Sequence, residues 1–213
     1  MAETKNREKV KAEICKILNN IGALKFGAFK LTSGKISPYY IDLRIVPSFP
    51  DAFRKTCKLQ SNFIKEEIGM KSFDRIAGVP IAGISFASMI AYNLKKPFLY
   101  IRKGERLHGR RRRIEGVLTP GDRVLLIDDL ITTGLSLLKA AKAIKAEGGV
   151  TTDVAVILDR EEEGRERLEK KGLRLHALLK ISETARKLYE IGTIDEDRLK
   201  IMMEQIRKRK DEI

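Results

Sequence analysis

Tryptophan is absent from this 213-residue chain, and cysteine and histidine occur only twice each. Cys15 and Cys57 stand far apart and outside any Cys-x-x-Cys spacing, so neither a disulfide framework nor a zinc site is indicated. No apolar run approaches the ~20 residues of a membrane-spanning helix, which excludes a transmembrane role. Met1 to Ala12 mixes lysines with Glu3 and Glu8. It has neither the apolar stretch of a secretory signal nor the acid-poor character of a transit peptide. The expectation is a reducing, cytoplasmic compartment. No repeat, low-complexity tract or Pro/Gly/Ser linker divides the chain. At about 150 residues per domain, it reads as one domain over residues 1–213. Folding at this size buries about 70% of the unfolded surface, which needs no disulfide or structural metal.

The composition has one strong excess. Lys and Arg total 43 against 29 Asp and Glu, a formal net charge of +14. Such a surplus points to an anionic partner: nucleic acid, an acidic lipid surface or a highly phosphorylated small molecule. Part of it has a structural explanation. Asp195, Glu196 and Asp197 open a final helix that closes on Arg207 to Lys210, acids first and bases last, as the helix macrodipole favours. The run Arg110 to Arg113 stays open between a solvated strip, steering of an anionic ligand and RNA contact.

Short β-branched runs alternate with longer periodic ones. Strands are expected at 76–79, 97–101, 124–127, 154–158 and 173–179, and helices at 83–94, 137–147 and 161–171. Val124 to Ile127 is apolar enough to be buried on both faces. This order predicts an α/β fold, a parallel sheet flanked by helices. Outside it lie an N-terminal helix at about 7–21, an extended segment around Tyr39, Tyr40 and Ile41, and a helix at about 51–67.

The segment that carries chemistry is Val124-Leu125-Leu126-Ile127-Asp128-Asp129-Leu130-Ile131-Thr132-Thr133-Gly134-Leu135-Ser136. Two acids at the carboxyl end of a buried parallel strand lie where open α/β sheets bind ligands. The residues that follow lead into a helix, so backbone N–H groups, hydroxyls and the positive helix end converge on one point. That suits a phosphate monoester, with acids beside it for sugar hydroxyls or a hydrated metal. A second segment, Gly78-Val79-Pro80-Ile81-Ala82-Gly83-Ile84-Ser85, has Walker A glycine spacing, but Ile84 stands where the lysine belongs. It reads either as a wrap for a diphosphate or as a tight turn with close helix packing.

These residues resemble the type I phosphoribosyltransferases, and further matches narrow the resemblance to the orotate phosphoribosyltransferases. The matches are Phe29 to Arg44 (with Thr32-Ser33-Gly34-Lys35 and Ser37-Pro38-Tyr39-Tyr40-Ile41-Asp42), Arg102-Lys103 with His108-Gly109 and Ile114-Glu115-Gly116, and Leu158-Asp159-Arg160-Glu161. The resemblance implies the family's fold, with a small hood from residues 1–50 and 182–213 over a core of 51–181. It implies phosphoribosyl transfer from phosphoribosyl pyrophosphate to orotate, giving orotidine 5'-phosphate and pyrophosphate for UMP synthesis. Carried over by position, Asp128 and Asp129 hold the ribose hydroxyls, directly or through water and Mg(2+). Leu130, Ile131, Thr132, Thr133, Gly134, Leu135 and Ser136 belong to the donor site, and Ile131 to Ser136 wrap its 5-phosphate. Thr132 and Arg160 meet the orotate.

By the same resemblance, Ser33 and Gly34 close over the base. Arg102, Lys103, Arg106 and His108 grip the pyrophosphate from a loop shared across a homodimer, and Arg106, His108, Asp128 and Asp129 are the catalytic set. The chain departs from the family at Arg106, where a lysine is usual, and at Leu107, where an acid is. Thr32, Ile81-Ala82 and Leu135 are further departures. Orotidine 5'-phosphate decarboxylase is an expected partner as a separate chain. The alternatives are a regulator of the same fold that binds RNA or DNA, and a transferase for another nucleobase.

Overall fold

The computed structural model describes residues 2–30, 36–102, 104 and 113–211. Helix α1 (Ala2–Asn20) leads to an antiparallel pair, β1 (Leu24–Lys30) and β2 (Ile36–Ile41). A 3-10 turn, Leu43–Ser48, follows, capped by the Asp42 carboxylate on the Arg44 N–H. Helix α2 (Pro50–Glu67) then starts with proline at its first position, where no intrahelical donor is lost. The core proceeds through β3 (Arg75–Gly78), α3 (Ala82–Leu94), β4 (Phe98–Ile101), β5 (Ile114–Glu115) and β6 (Val124–Ile131). It continues with α4 (Leu135–Ala146), β7 (Asp153–Asp159), α5 (Gly164–Glu169) and β8 (Arg174–Lys180), and the chain closes with α6 (Ile181–Glu190) and α7 (Glu196–Asp211).

The six strands lie in the order β5-β4-β3-β6-β7-β8. All neighbours are parallel except the edge pair β4 and β5. The expected parallel sheet is therefore present with one short antiparallel strand added. The chain leaves β3 toward β4 on one side and leaves β6 toward β7 on the other. Connections that diverge in this way open a crevice at the carboxyl ends of β3 and β6.

Alternation along the strands fills two cores. Leu125 and Ile127 of β6 and Ala155 and Ile157 of β7 face a cluster with Phe86 and Ile90 of α3 and Ile64 of α2. Val124 and Leu126, with Val154 and Val156, face Leu137 and Ile144 of α4 and Leu168 of α5. The first cluster continues through Ile14 and Leu18 of α1, Leu188 of α6, and Met202 and Ile206 of α7. The two ends of the chain thus meet, and Gln205 donates to the Ile36 carbonyl at 2.9 Å while Lys11 pairs with Glu183 at 2.8 Å.

Three local expectations are corrected. The strand read as 124–127 continues to Ile131, because the β7 ladder extends through Leu130 opposite Leu158 and Ile131 opposite Asp159. The helix expected at 161–171 is confined to six residues, since Glu161 takes a left-handed φ of 53°. Strands β1 and β5 and helix α6 have no counterpart in the sequence reading. Helix α6 follows β8 without an intervening residue, so no turn signal marks it.

At the amino end of β7, Asp153 is buried. It accepts from Arg174 at 2.9 and 2.8 Å, from the Thr152 hydroxyl at 2.8 Å, and lies 2.7 Å from His176 Nε2. Burial pushes this carboxyl up, but the hydrogen bonds from Arg174, His176 and Thr152 outweigh it and hold it below its ordinary value. Asp153→Asn is expected to lower stability by about 2 kcal/mol, the loss of charge-assisted hydrogen bonds at a buried acceptor. A carboxyl held low in the folded state stabilises above its unfolded pKa, and that contribution disappears as pH falls through the folded value. Urea titrations at pH 7 and at pH 3 should therefore show a large difference between wild type and variant at pH 7 and a small one at pH 3.

Candidate active site

The crevice at the carboxyl ends of β3 and β6 holds a cavity of about 430 Å³. Its wall is made of residues 41–44 after β2, residues 80–82 after β3, the continuous stretch 128–137, and Arg160 after β7. Three of these segments follow parallel strands that all end on this side, and residues 41–44 are brought over them from the separate β1-β2 pair.

Asp128 is buried and Asp129 partly so. Asp128 Oδ1 accepts from the Asp129 N–H at 2.9 Å, and the Gly83 N–H also serves this carboxylate. Burial raises the Asp128 carboxyl well above the usual range, and the Asp129 charge raises it further. Asp129 is raised by burial too, against hydrogen bonds from Asp128 and the Leu130 N–H and against the charge of Arg44. A carboxylate pair in this state favours an added cation or hydrogen-bond donors from hydroxyls.

The glycines of the second segment set how closely α3 approaches. A Cβ on Gly83 would lie 2.6 Å from the Ile127 carbonyl oxygen and 2.8 Å from Asp128 Oδ1. One on Gly78 would lie 2.7 Å from Ile84 Cα. The tight-turn reading of this stretch therefore has direct geometric support, while Pro80, Ile81 and Ala82 still form part of the cavity wall.

Beyond β6 the chain turns at Gly134, whose φ of 74° suits glycine, and α4 begins. Its first helical hydrogen bond is Leu138 N–H to the Gly134 carbonyl at 3.0 Å. The amides of Leu135, Ser136 and Leu137 precede that bond and have no acceptor inside the helix, so they and the helix's positive end are available to an anion. All three residues line the cavity.

Arg160 extends into the cavity from the end of β7, largely buried. Its guanidinium lies 5.9 Å from the centre of the Tyr39 ring and 3.2 Å from Glu162. Its Nε is buried without a hydrogen-bond partner among the described residues. A planar fork with an unspent donor is suited to a planar acid. Tyr39 itself is buried, so its packing role is visible, and Tyr40 packs on Phe29.

Among the residues expected at the site, Asp128 to Ser136, with Thr132 among them, and Arg160 come together around the one cavity. Arg102 stands at the end of β4, 3.0 Å from Glu115, and is not part of the lining. Lys103, Arg106, His108, Leu107, Ser33, Gly34, Thr32 and Arg110 to Arg112 lie outside the described residues. Arg113, the last of the basic run, donates its backbone N–H to Glu147 at 3.1 Å.

Sequence reasoning missed Arg44. Asp42 grips it through Nε at 2.7 Å and Nη2 at 2.9 Å, and the Tyr40 hydroxyl lies 3.1 Å from Nη2. Held in this way, it lines the cavity on the side of Asp129. The signal available was an acid two residues ahead of an arginine, directly after an extended run.

The family model described as phosphoribosyl transferase domain matches residues 53–176. The orotate phosphoribosyltransferase of Cenarchaeum symbiosum is 41% identical over 84% of this chain and 90% of its own length. That of Pyrococcus abyssi is 39% identical over 88% of this chain and all of its own. Among solved structures, the orotate phosphoribosyltransferase of Aeropyrum pernix superposes with a TM-score of 0.72 at 29% identity, over 85% of this chain and 99% of that one. The UMP synthase of Leishmania donovani gives 0.81 at 28% identity, over 92% of this chain and 42% of that one.

The raised acids make a stability prediction. A carboxyl raised in the folded state destabilises the fold progressively as pH rises above its unfolded value, because the folded protein must then bury the charge. Asp128→Asn keeps an oxygen for the Asp129 and Gly83 amides and removes that charge. In ligand-free protein it should gain on the order of 1 kcal/mol at pH 7, as functional groups held at a stability cost do on neutralisation. Melting curves from pH 4 to pH 8 should show the gain growing with pH; a gain that shrinks with pH contradicts the assignment.

Proposed function

The chain belongs to the orotate phosphoribosyltransferases, and on that premise we propose that it transfers the phosphoribosyl group of phosphoribosyl pyrophosphate to orotate. The products are orotidine 5'-phosphate and pyrophosphate, within UMP synthesis. The observation that carries this reading is the convergence in one cavity of a carboxylate pair, an anion-binding loop and an arginine fork with a free donor. In the reaction an orotate ring nitrogen attacks the anomeric carbon while the bond to the diphosphate oxygen breaks. No protein nucleophile takes part.

Each wall has a task. Residues 131–136 bind the 5-phosphate through backbone amides and hydroxyls. Asp128 and Asp129 hold the ribose hydroxyls and thereby fix the anomeric carbon. Arg160, with Thr132, orients orotate through its carboxylate or carbonyl edge. Arg102, Lys103, Arg106 and His108 neutralise the leaving diphosphate as positive charge develops on the sugar.

The residues fit a magnesium ion of the substrate-bound kind. Among the described residues no cluster of three or more His, Cys, Asp or Glu could cage a metal alone. Two adjacent acids on one cavity wall would instead supply part of the oxygen ligands that a magnesium ion needs, alongside a phosphorylated substrate. Asp128 and Asp129 would hold it, and when bound it supplies charge to stabilise the diphosphate.

The active form in this reading is a homodimer whose 102–108 loop serves the neighbouring site. The next step falls to orotidine 5'-phosphate decarboxylase as a separate chain. The uridine 5'-monophosphate synthase of Caenorhabditis elegans, 38% identical, is a relative of which this chain covers 38%. No described helix is long and apolar enough to cross a membrane, and the proposed compartment is the cytoplasm. A nucleic-acid-binding regulator has no observation in its favour, and Arg160 would be without a task in one.

Purified protein with magnesium, phosphoribosyl pyrophosphate and orotate should consume orotate and release pyrophosphate. Absence of turnover together with tight, salt-sensitive RNA binding would overturn the reading. Arg160→Ala should raise the KM for orotate roughly 30-fold, the equivalent of about 2 kcal/mol for a charge-assisted contact. The donor KM should stay within twofold in the same initial-rate measurements. Changing Asp128 and Asp129 together to Asn should abolish most donor use, and survival of activity would show that the donor pocket is misassigned.

A further inference from the structure

We propose that Arg167 and Gly164, neither of which lines the cavity, are positioning residues that turn the amide face of the 132–134 loop toward the donor's 5-phosphate. The inference rests on the reading above, in which that loop takes the phosphate.

Three successive carbonyls of the loop face the segment 160–167. The Arg160 N–H donates to the Ile131 carbonyl at 3.1 Å. Gly164 lies directly against the Thr132 carbonyl: a Cβ there would collide with that oxygen and come within 2.6 Å of Ile131 Cγ1. Arg167 Nη1 donates to the Thr133 carbonyl at 3.1 Å. In a trans peptide the C=O and the following N–H point in opposite directions. Holding the carbonyls of 131, 132 and 133 on one side therefore turns the N–H groups of Thr132, Thr133 and Gly134 to the other. Thr132, Thr133 and Gly134 line the cavity while Gly164 and Arg167 do not, which puts the amides on the cavity side, and a row of amides so turned is an anion nest.

The brace is itself anchored. Arg167 pairs with Glu163 one turn earlier on its own helix. Arg165 ties the segment to the buried Asp159 through Nη2 at 3.1 Å and to the Leu175 carbonyl at 3.0 Å. Asp159 also accepts from the Glu161 N–H at 2.8 Å, and Glu161 accepts from the Ser182 N–H at 2.9 Å. The segment that starts with the proposed orotate-binding Arg160 is thus fastened to β8 and α6. It then fixes the phosphate loop, so one rigid element sets the spacing between the base end and the phosphate end of the site.

The test uses the full chain and four proteins: wild type, Arg167→Met, Arg167→Lys and Gly164→Ala. Measured are the KM for donor, the KM for orotate at saturating donor, the affinity for ribose 5-phosphate alone, and the melting temperature. Arg167→Met should raise the donor KM and weaken ribose 5-phosphate about tenfold each, leave the orotate KM within twofold, and shift the melting temperature by no more than ~2 °C. Arg167→Lys, which can still donate to the Thr133 carbonyl, should recover most of the loss. Gly164→Ala should move donor KM and ribose 5-phosphate affinity in the same direction without removing a charge. Unchanged ribose 5-phosphate affinity in Arg167→Met overturns the proposal, and so does an equal fall in both KM-defined affinities and in melting temperature. Should Gly164→Ala not fold, the Met and Lys pair decides the matter. Wild-type protein that binds ribose 5-phosphate without turning over orotate would sink the functional reading while leaving the brace measurable.

Discussion

Two neighbouring carboxylates, one buried and one partly so, near the end of a central strand are the constraint around which this molecule is arranged. Charge in a poorly solvated site is unfavourable, and among the described residues no cation forms an ion pair with Asp128. Its partners are the amides of Asp129 and Gly83. The geometry nearby follows from that need. Gly83 has no side chain because α3 must bring its amide to the acid. Strand β6 runs eight residues so that Asp128 and Asp129 sit within the sheet rather than in a loose turn. The positive end of α4, Arg44 and Arg160 stand around the rim, and they suit a ligand carrying its own negative charge together with its own cation.

Three ion pairs secure the end of the sheet opposite the cavity. Arg123 pairs with Asp74 at 2.8 Å, Arg75 pairs with Asp122, and Arg174 pairs with Asp153, all at the amino ends of parallel strands. These bonds lock strand order and register where no ligand needs access. At the carboxyl ends Arg165 is tied to Asp159 and the Leu175 carbonyl, whereas the cations that line the cavity are held less completely. Arg44 is oriented by Asp42 yet mostly exposed, and Arg160 keeps a buried donor unused. The surplus of +14 divides accordingly. Paired arginines secure the scaffold, a smaller set serves the site, and many surface lysines add net charge with little effect on stability.

Much of the core was legible because its signals are local. Val124 to Ile127 is an unbroken apolar run, and such a run is what burial on both faces requires. The acids, the Thr-Thr-Gly turn and the start of α4 are consecutive, so a candidate anion site could be read from a single window. The end of β6 was not legible, since whether Leu130 and Ile131 extend as strand depends on a ladder with Leu158 and Asp159, nearly thirty residues on. Helix α5 was overestimated because its periodicity ignores the left-handed turn at Glu161, which Asp159 and Ser182 hold in place.

The sequence by itself determined the α/β class, the family resemblance, the acid pair, the candidate anion-binding loop and Arg160 as a candidate site residue, because each depends on residue type and short spacing. Only the tertiary structure decided that Arg44 joins the site and that Gly164 and Arg167 stand behind the loop. It also decided that Gly78 and Gly83 are spacers between α3 and the sheet. Those assignments rest on contacts between segments 30 to 85 positions apart or on clearance for an atom that glycine lacks, and neither quantity is written in any local stretch of the chain.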